Sequence, residues 1–330
     1  MNYNFVAIGD IVTDAFIRIK DASLNCDISH EHCTLCFRFG DKIPYEFVKV
    51  VRAVGNSANA AVSASRLGLK SAFVTNLGDD QNGKECLEEL QKNKVVTDFI
   101  TVHKGEKTNY HYVLWFEAER TILVKHHEYK YSFSDIGNPK WVYLSSLAEN
   151  SLPYHNEIAV YLKKHPDIKL AFQPGTFQMK LGFEKLRELY GLSELFFCNI
   201  QEAKRILDIK EEIEIIPLIV KMRALGPKIV VITDGPKGAY VYDGNETWFM
   251  PPYPDSKPPY DRTGAGDSFA STFTSALAYG KDIPEALQWA PINSMSVVQK
   301  IGAQEGLLSR ESLETYLKHA PKDYSPRKIL

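Results

Sequence analysis

Cysteine is scarce in this chain, five in 330 residues. So few, and odd in number, do not make a disulfide scaffold, and they predict a protein of the reducing cytoplasm. No apolar run approaches the ~18 residues that a membrane-spanning helix needs, so no membrane partner is expected. Charge of one sign is missing too. Lys plus Arg number 39 and Asp plus Glu 41, for a formal net charge of -2, which gives no support for nucleic acid as a partner. Two phosphate-binding signatures are absent. Gly-x-x-x-x-Gly-Lys-Ser/Thr occurs nowhere, which excludes a Walker A loop. No Gly-x-Gly-x-x-Gly follows the first strand, which counts against a dinucleotide-dependent oxidoreductase. There is no internal repeat and no low-complexity tract.

What is present is a composition suited to a substantial core, 44% hydrophobic and 24% charged. Residues 1–8 lack a charged leader and are expected to form a strand rather than a signal peptide. Short β-rich runs at Phe5–Ile8, Ala72–Leu77, Trp141–Leu144, Leu170–Phe172, Leu195–Cys198 and Ile229–Thr233 alternate with helical or polar segments, Ala58–Leu67 and Gly83–Gln91 among them. That alternation predicts a single α/β domain over residues 1–330, with a mostly parallel sheet covered by helices on both faces. The last third reads as helices at Gly266–Tyr279, Pro284–Lys300 and Ser309–Lys318. Two segments, about 13–51 and 108–126, carry β patterns with no helix between them, with a turn expected at Glu117-Ala118-Glu119. They are expected to build a small lid sheet over one edge, able to exclude water from a reaction. Its edges offer a contact for a homodimer.

Five short stretches carry candidate chemistry. Asp261-Arg262-Thr263-Gly264-Ala265-Gly266-Asp267 runs into an apolar helix. Small residues there leave backbone N–H groups free at a helix N-terminus, where an anion is favoured. Asp267 beside that nest suits a base that takes a proton from an attacking hydroxyl, or simply a capping acid. Gly55-Asn56-Ser57-Ala58-Asn59 opens another helix. Its two amides suit a polyhydroxylated ligand, and simple capping by Asn56 or Ser57 is the alternative. Asp14 falls near the end of the first strand, where open α/β sheets bind ligands, and could equally be a solvated loop residue. Asn199-Ile200-Gln201-Glu202 follows a strand. Its Asn and Glu can share a water-bound Mg²⁺, although the pattern itself favours a capping box. Thr233-Asp234-Gly235-Pro236-Lys237-Gly238 offers amides and a hydroxyl to a nucleotide, or a hairpin turn. A metal at Cys26, Cys33 and Cys36 with His30 and His32 is also conceivable, but the second Cys pair of a zinc site is missing.

Taken together and in this order, these motifs resemble the ribokinase/PfkB family of carbohydrate kinases across nearly the whole chain. Each motif alone is a weak signal, whereas four in order with the right flanking strands are specific. The resemblance implies a ribokinase-like three-layer sandwich with a main sheet of about eight or nine strands and a β lid. It implies ATP and Mg²⁺, with a monovalent cation in some relatives, here near Asp255–Lys257 and Gly302–Gly306. Asp267 would be the general base and the amides of Gly264, Ala265 and Gly266 the anion hole. Asn199 and Glu202 would hold Mg²⁺ through water. Thr233, Gly235, Gly238 and Asn293 would line the nucleotide site, and Asp14, Gly55, Asn56 and Asn59 would hold a sugar. A nucleoside is the second acceptor class, with Tyr110, Tyr112, Trp115 and Phe116 available to stack on a base. A sugar-binding protein without catalysis is the third reading. The chain departs from the family pattern at Val54 (usually Gly), at Arg262 (often Thr), at Gln173-Pro174-Gly175 (commonly Asp-Pro) and in extra lid residues at Leu24–Phe37.

Overall fold

The computed structural model describes residues 3–26, 33–117 and 119–330. Its main sheet has ten strands. Phe5–Ile8 lies inside it, with Ser71–Gly78 and then Ile100–His103 on one side. Trp141–Leu144, Lys169–Phe172, Ser193–Asn199 and Ile229–Thr233 follow on the other side, and all of these pair in parallel. Three antiparallel strands, Ala239–Tyr242, Thr247–Met250 and Arg327–Lys328, complete that edge. The count exceeds the expected eight or nine because the chain end returns to pair with Thr247–Met250.

Strand side chains alternate between two faces, and each face has its own apolar cluster. Phe5, Ala7, Phe73, Tyr143 and Phe197 pack with Ala58, Phe269, Phe273 and Leu287, on the helices Asn56–Arg66, Ala265–Ala278 and Ile283–Val297. Val6, Ile8, Val142, Phe172 and Phe196 pack with Ile158, Leu189, Leu218 and Met222 on the other side. This is the expected layer of parallel sheet between two helix layers. Both candidate motif helices lie on the same side, so residues more than two hundred positions apart meet.

The lid is a separate four-stranded sheet in the order Tyr45–Val54, Val12–Ile19, Tyr110–Phe116, Glu119–Leu123. Ala118, at its expected turn, lies outside the described residues. The extra lid material forms a hairpin, Ser23–Cys26 with Cys33–Cys36. Cys26 and Cys33 face each other across that ladder and are joined in a disulfide, while Cys36, Cys86 and Cys198 are free. That corrects the metal reading, since two of its three sulfurs are bonded to each other. His30 and His32 lie outside the described residues, and no group of three or more potential ligands occurs among the described ones. No described helix is long and apolar enough to cross a membrane.

Candidate active site

The motif Asp261–Asp267 is anchored before its helix begins. Asp261 is buried, its Oδ1 accepting from the Thr263 N–H at 2.9 Å and the Thr263 hydroxyl at 2.6 Å. Its Oδ2 accepts from the Gly302 N–H at 2.7 Å, which ties the motif to the Gly302–Gly306 segment. Gly264 then takes the N-cap position with φ 80° and ψ 3°, a left-handed conformation suited to glycine. A Cβ at that position would stand 2.3 Å from the Ala303 Cβ, so side-chain absence is required sterically as well. Of the first-turn amides, that of Ala265 reaches the Arg262 carbonyl at 3.4 Å, and those of Gly266 and Asp267 have no helical carbonyl to bond and are open to an anion.

Asp267 sits in this first turn and is buried. Three carboxamides from two other segments hold it. Asn56 Nδ2 donates to Oδ1 at 2.8 Å, Gln173 Nε2 donates to Oδ1 at 3.2 Å, and Asn59 Nδ2 donates to Oδ2 at 2.8 Å. The capping alternative for Asn56 and Ser57 therefore gives way. Gly55 is the N-cap, Asn56 turns to Asp267, and the Ser57 hydroxyl donates to the Ile8 carbonyl at 2.6 Å. The Asn59 amide is itself oriented, because Gln304 Nε2 donates to its Oδ1 at 3.0 Å and to the Ala53 carbonyl at 2.7 Å. The Tyr143 hydroxyl likewise donates to Gln173 Oε1. A carboxylate offers about four lone-pair sites. Two on Oδ1 and one on Oδ2 are filled here, so Asp267 keeps one open acceptor, on Oδ2.

Asp267 lines a cavity of about 430 Å³ between the motif and the lid. Asp14, Gly55, Asn56, Asn59, Asn199, Glu202, Thr233 and Gly264–Gly266 share that lining. A second cavity of about 210 Å³ adjoins it through Thr233, Arg262, Ala265, Gly266 and Phe269, and adds Gly235, Gly238, Tyr253 and Met295. The hairpin reading of 233–238 also holds, since Ile229–Thr233 pairs antiparallel with Ala239–Tyr242. Asn293 is the exception. It is fully buried, its Nδ2 donating to Thr272 Oγ1 at 2.8 Å and its Oδ1 accepting from the Leu308 N–H at 2.9 Å. It therefore fixes the helix layer, and Ser294 and Met295 line the smaller cavity in its place.

Asn199 and Glu202 form the capping box. Asn199 Oδ1 accepts from the Glu202 N–H at 2.8 Å, and Glu202 Oε2 accepts from the Asn199 N–H at 2.9 Å. Burial pushes the Glu202 carboxyl above the usual range, the Asn199 N–H partly offsets that, and the charge of Asp267 reinforces it. Two acids thus converge on one cavity, an arrangement that favours a cation between them and any phosphate. The box leaves the other Glu202 oxygen for water, which fits a Mg²⁺ that keeps most of its own waters. In the segments expected near a monovalent cation, the Lys257, Gln304 and Gly306 carbonyls each accept a hydrogen bond, from Gln299, Arg66 and Ser296.

Several lining residues carried no motif signal: His111, Arg120, Ile122, Val124, His126, Gln173 and Phe177. Gln173 had marked itself only as a departure from the family pattern. Arg262 lines both cavities and pairs with the lid residue Glu119 at 3.0 Å. The lid aromatics do not reach the site. Trp115 is buried under the Arg18 guanidinium and against Tyr260, Tyr112 is exposed beside Tyr110, and none of the four lines the cavity. That corrects the stacking expectation. β alternation sends Tyr110 and Tyr112 to the face opposite His111.

A family model described as pfkB family carbohydrate kinase matches residues 37–310. A ribokinase of Bacillus subtilis is 29% identical over 277 residues, covering 80% of this chain and 87% of its own. The structure of Arabidopsis thaliana ribokinase complexed with ribose and ATP is similar with a TM-score of 0.80 at 23% identity, over 96% of this chain and 99% of that one. A nucleoside kinase of Methanocaldococcus jannaschii gives a TM-score of 0.78 at 19% identity, over 96% and 98%. At such identities the structural likeness shows the ribokinase fold.

Proposed function

We propose, from the premise that this chain belongs to the pfkB family of carbohydrate kinases, that it transfers the γ-phosphoryl group of ATP to a primary hydroxyl of a sugar or sugar derivative. The observation that carries this is that Asp267, with three of about four acceptor positions filled, lines a cavity that continues into a second one past Gly266. The acceptor hydroxyl donates its hydrogen bond to Asp267 Oδ2. As its oxygen bonds the γ-phosphorus and the bond to the bridging oxygen of ADP breaks, the proton passes to Asp267. Amides of Gly264, Ala265 and Gly266 take the charge spread over the transferring oxygens. Asp14, Gly55, Asn56 and Asn59 hold the acceptor, and Thr233, Gly235 and Gly238 the nucleotide. Asn199 and Glu202 would hold Mg²⁺ through water, and the ion would draw charge from the phosphates.

A sugar is favoured over a nucleoside because none of Tyr110, Tyr112, Trp115 and Phe116 lines the cavity. Asp267→Asn removes the proton acceptor while keeping the side chain's size. Turnover should fall by orders of magnitude, with ATP and acceptor binding by calorimetry nearly intact. Retained turnover would remove Asp267 from the role of base. A homodimer through the lid is part of this proposal, supported by an outer face that exposes the apolar Val48, Val50, Tyr112 and Leu123. Sedimentation showing monomer alone at micromolar protein would exclude it.

A further inference from the structure

The lid side of the cavity carries an arginine that meets no carboxylate among the described residues. Arg120 and Ile122 alternate along Glu119–Leu123, and with Val124 they line the cavity, as a period of two requires. Arg120 forms no ion pair among the described residues, and its Nε is buried without a hydrogen-bond partner. By contrast Arg52, Arg262 and Arg310 each meet a carboxylate.

His111 lines the same cavity, four residues along its strand from Trp115, the residue paired with Arg120. It is 8% exposed, and its Nε2 is buried and also unpartnered. Its Nδ1 lies 3.4 Å from Asp14 Oδ1. His126 completes the group. Its Nδ1 donates to Asp10 Oδ2 at 2.8 Å, since a carboxylate only accepts, and this leaves Nε2 as its remaining polar atom. Of the three carboxylates lining the cavity, Asp267 and Glu202 belong to the phosphoryl end, while Asp14, 3.4 Å from His111 Nδ1, keeps its Oδ1 buried without a hydrogen-bond partner, an acceptor for a ligand hydroxyl. Buried donors left unsatisfied are costly, and a ligand that supplies acceptors removes the cost. Hydroxyls of a neutral sugar would leave the guanidinium charge unmatched, whereas a planar or tetrahedral oxyanion matches its fork.

Building on the kinase reading above, we infer that the acceptor is an anionic sugar, with its carboxylate or phosphate held by Arg120 and its hydroxymethyl end at Asp267. The two sources share one chemistry, and the acceptor panel separates them. ADP release is followed with the intact protein and ATP, using hexonates and 2-ketohexonates in one arm and sugar monophosphates in a second. Neutral pentoses, neutral hexoses and nucleosides form the third arm. One of the two anionic arms should give the highest kcat/KM. Arg120→Gln should raise the KM for that acceptor about 10- to 100-fold, the span of a lost charge-assisted contact, with the KM for ATP unchanged.

Highest kcat/KM on a neutral acceptor, with its KM indifferent to Arg120→Gln, would overturn the inference and leave the kinase reading standing. An equal rise in the KM for ATP would show Arg120 acting through the fold of the lid, and would also overturn it. No ADP from any arm would count against the kinase reading itself, and this inference would fall with it.

Discussion

Replacing Gly264 with alanine adds one methyl group to a residue at φ +80°. The left-handed backbone costs an alanine roughly 1–2 kcal/mol. The new Cβ would stand 2.3 Å from the Ala303 Cβ and 2.6 Å from its Cα, while apolar carbons rest near ~3.5–4.0 Å. About 1 Å of separation must therefore open between the motif and the Gly302–Gly306 segment, at an overpacking cost of roughly 1–3 kcal/mol. Asp261 bonds both segments, so neither moves alone, and the anion hole shifts with them. A displacement near 1 Å at reacting groups is worth about a hundredfold in rate. Gly266→Ala is the internal control. The nearest atom to its Cβ is Gln173 Nε2 at 3.9 Å, and alanine in a helix is better than glycine by roughly 0.5–1 kcal/mol. Thermal unfolding and a coupled ADP assay at saturating substrates check the pair. Gly264→Ala should lose roughly 2–5 kcal/mol of stability together with most of its kcat. Gly266→Ala should keep its stability and lose affinity for ATP, because Gly266 lines both cavities. Wild-type Tm and kcat in Gly264→Ala, or unfolding of Gly266→Ala, would refute the reasoning.

Burial lowers the pKa of His155 from 6.5 to about 4, against smaller opposing effects of the Ser151 carbonyl and Asp10. The unfolded chain therefore binds the extra proton first, so this contribution is complete above pH 6.5 and is lost as pH falls toward 4. The loss is on the order of 3 kcal/mol. Denaturant unfolding should show wild type losing that much relative to His155→Gln across this window, and parallel curves would remove His155 as the cause. Gln304→Ala frees the Asn59 amide to present its oxygen to Asp267, so kcat should fall by roughly tenfold or more, the worth of a hydrogen bond to a charged group. Unchanged kcat at saturating substrates would show that Gln304 does not orient the base.

Much of the fold was legible because its signals are local. Strand runs such as Phe5–Ile8, Trp141–Leu144 and Ile229–Thr233 appear at their expected bounds, since each is buried on both faces and reads as a continuous apolar run. The lid was legible for the opposite reason, a β pattern with no helix to interrupt it. Local pattern also favoured the Asn199–Glu202 box, and the box is there. Asn293 shows where such reading stops. It lies beside the cavity-lining Ser294 in sequence, yet points into the helix layer, because one step along a helix turns a side chain by ~100°. Arg120 and His111 carried no signal at all, for a lone Arg or His on a strand becomes informative only when its missing partner is known.

The order of the motifs by itself determined the kinase family, the glycine-led helix N-terminus proposed to meet an anion, and the acid in its first turn. Those features are written in backbone conformation and in residues a few positions apart, where spacing and geometry are nearly the same thing. Only the tertiary structure decided what surrounds Asp267. Asn56, Asn59, Gln173 and Gln304 come from segments as far as 211 residues from it, and only their packing leaves one lone pair open. The inference of an anionic acceptor rests there too, on the inner face of a lid whose side chains acquire meaning from what they fail to touch.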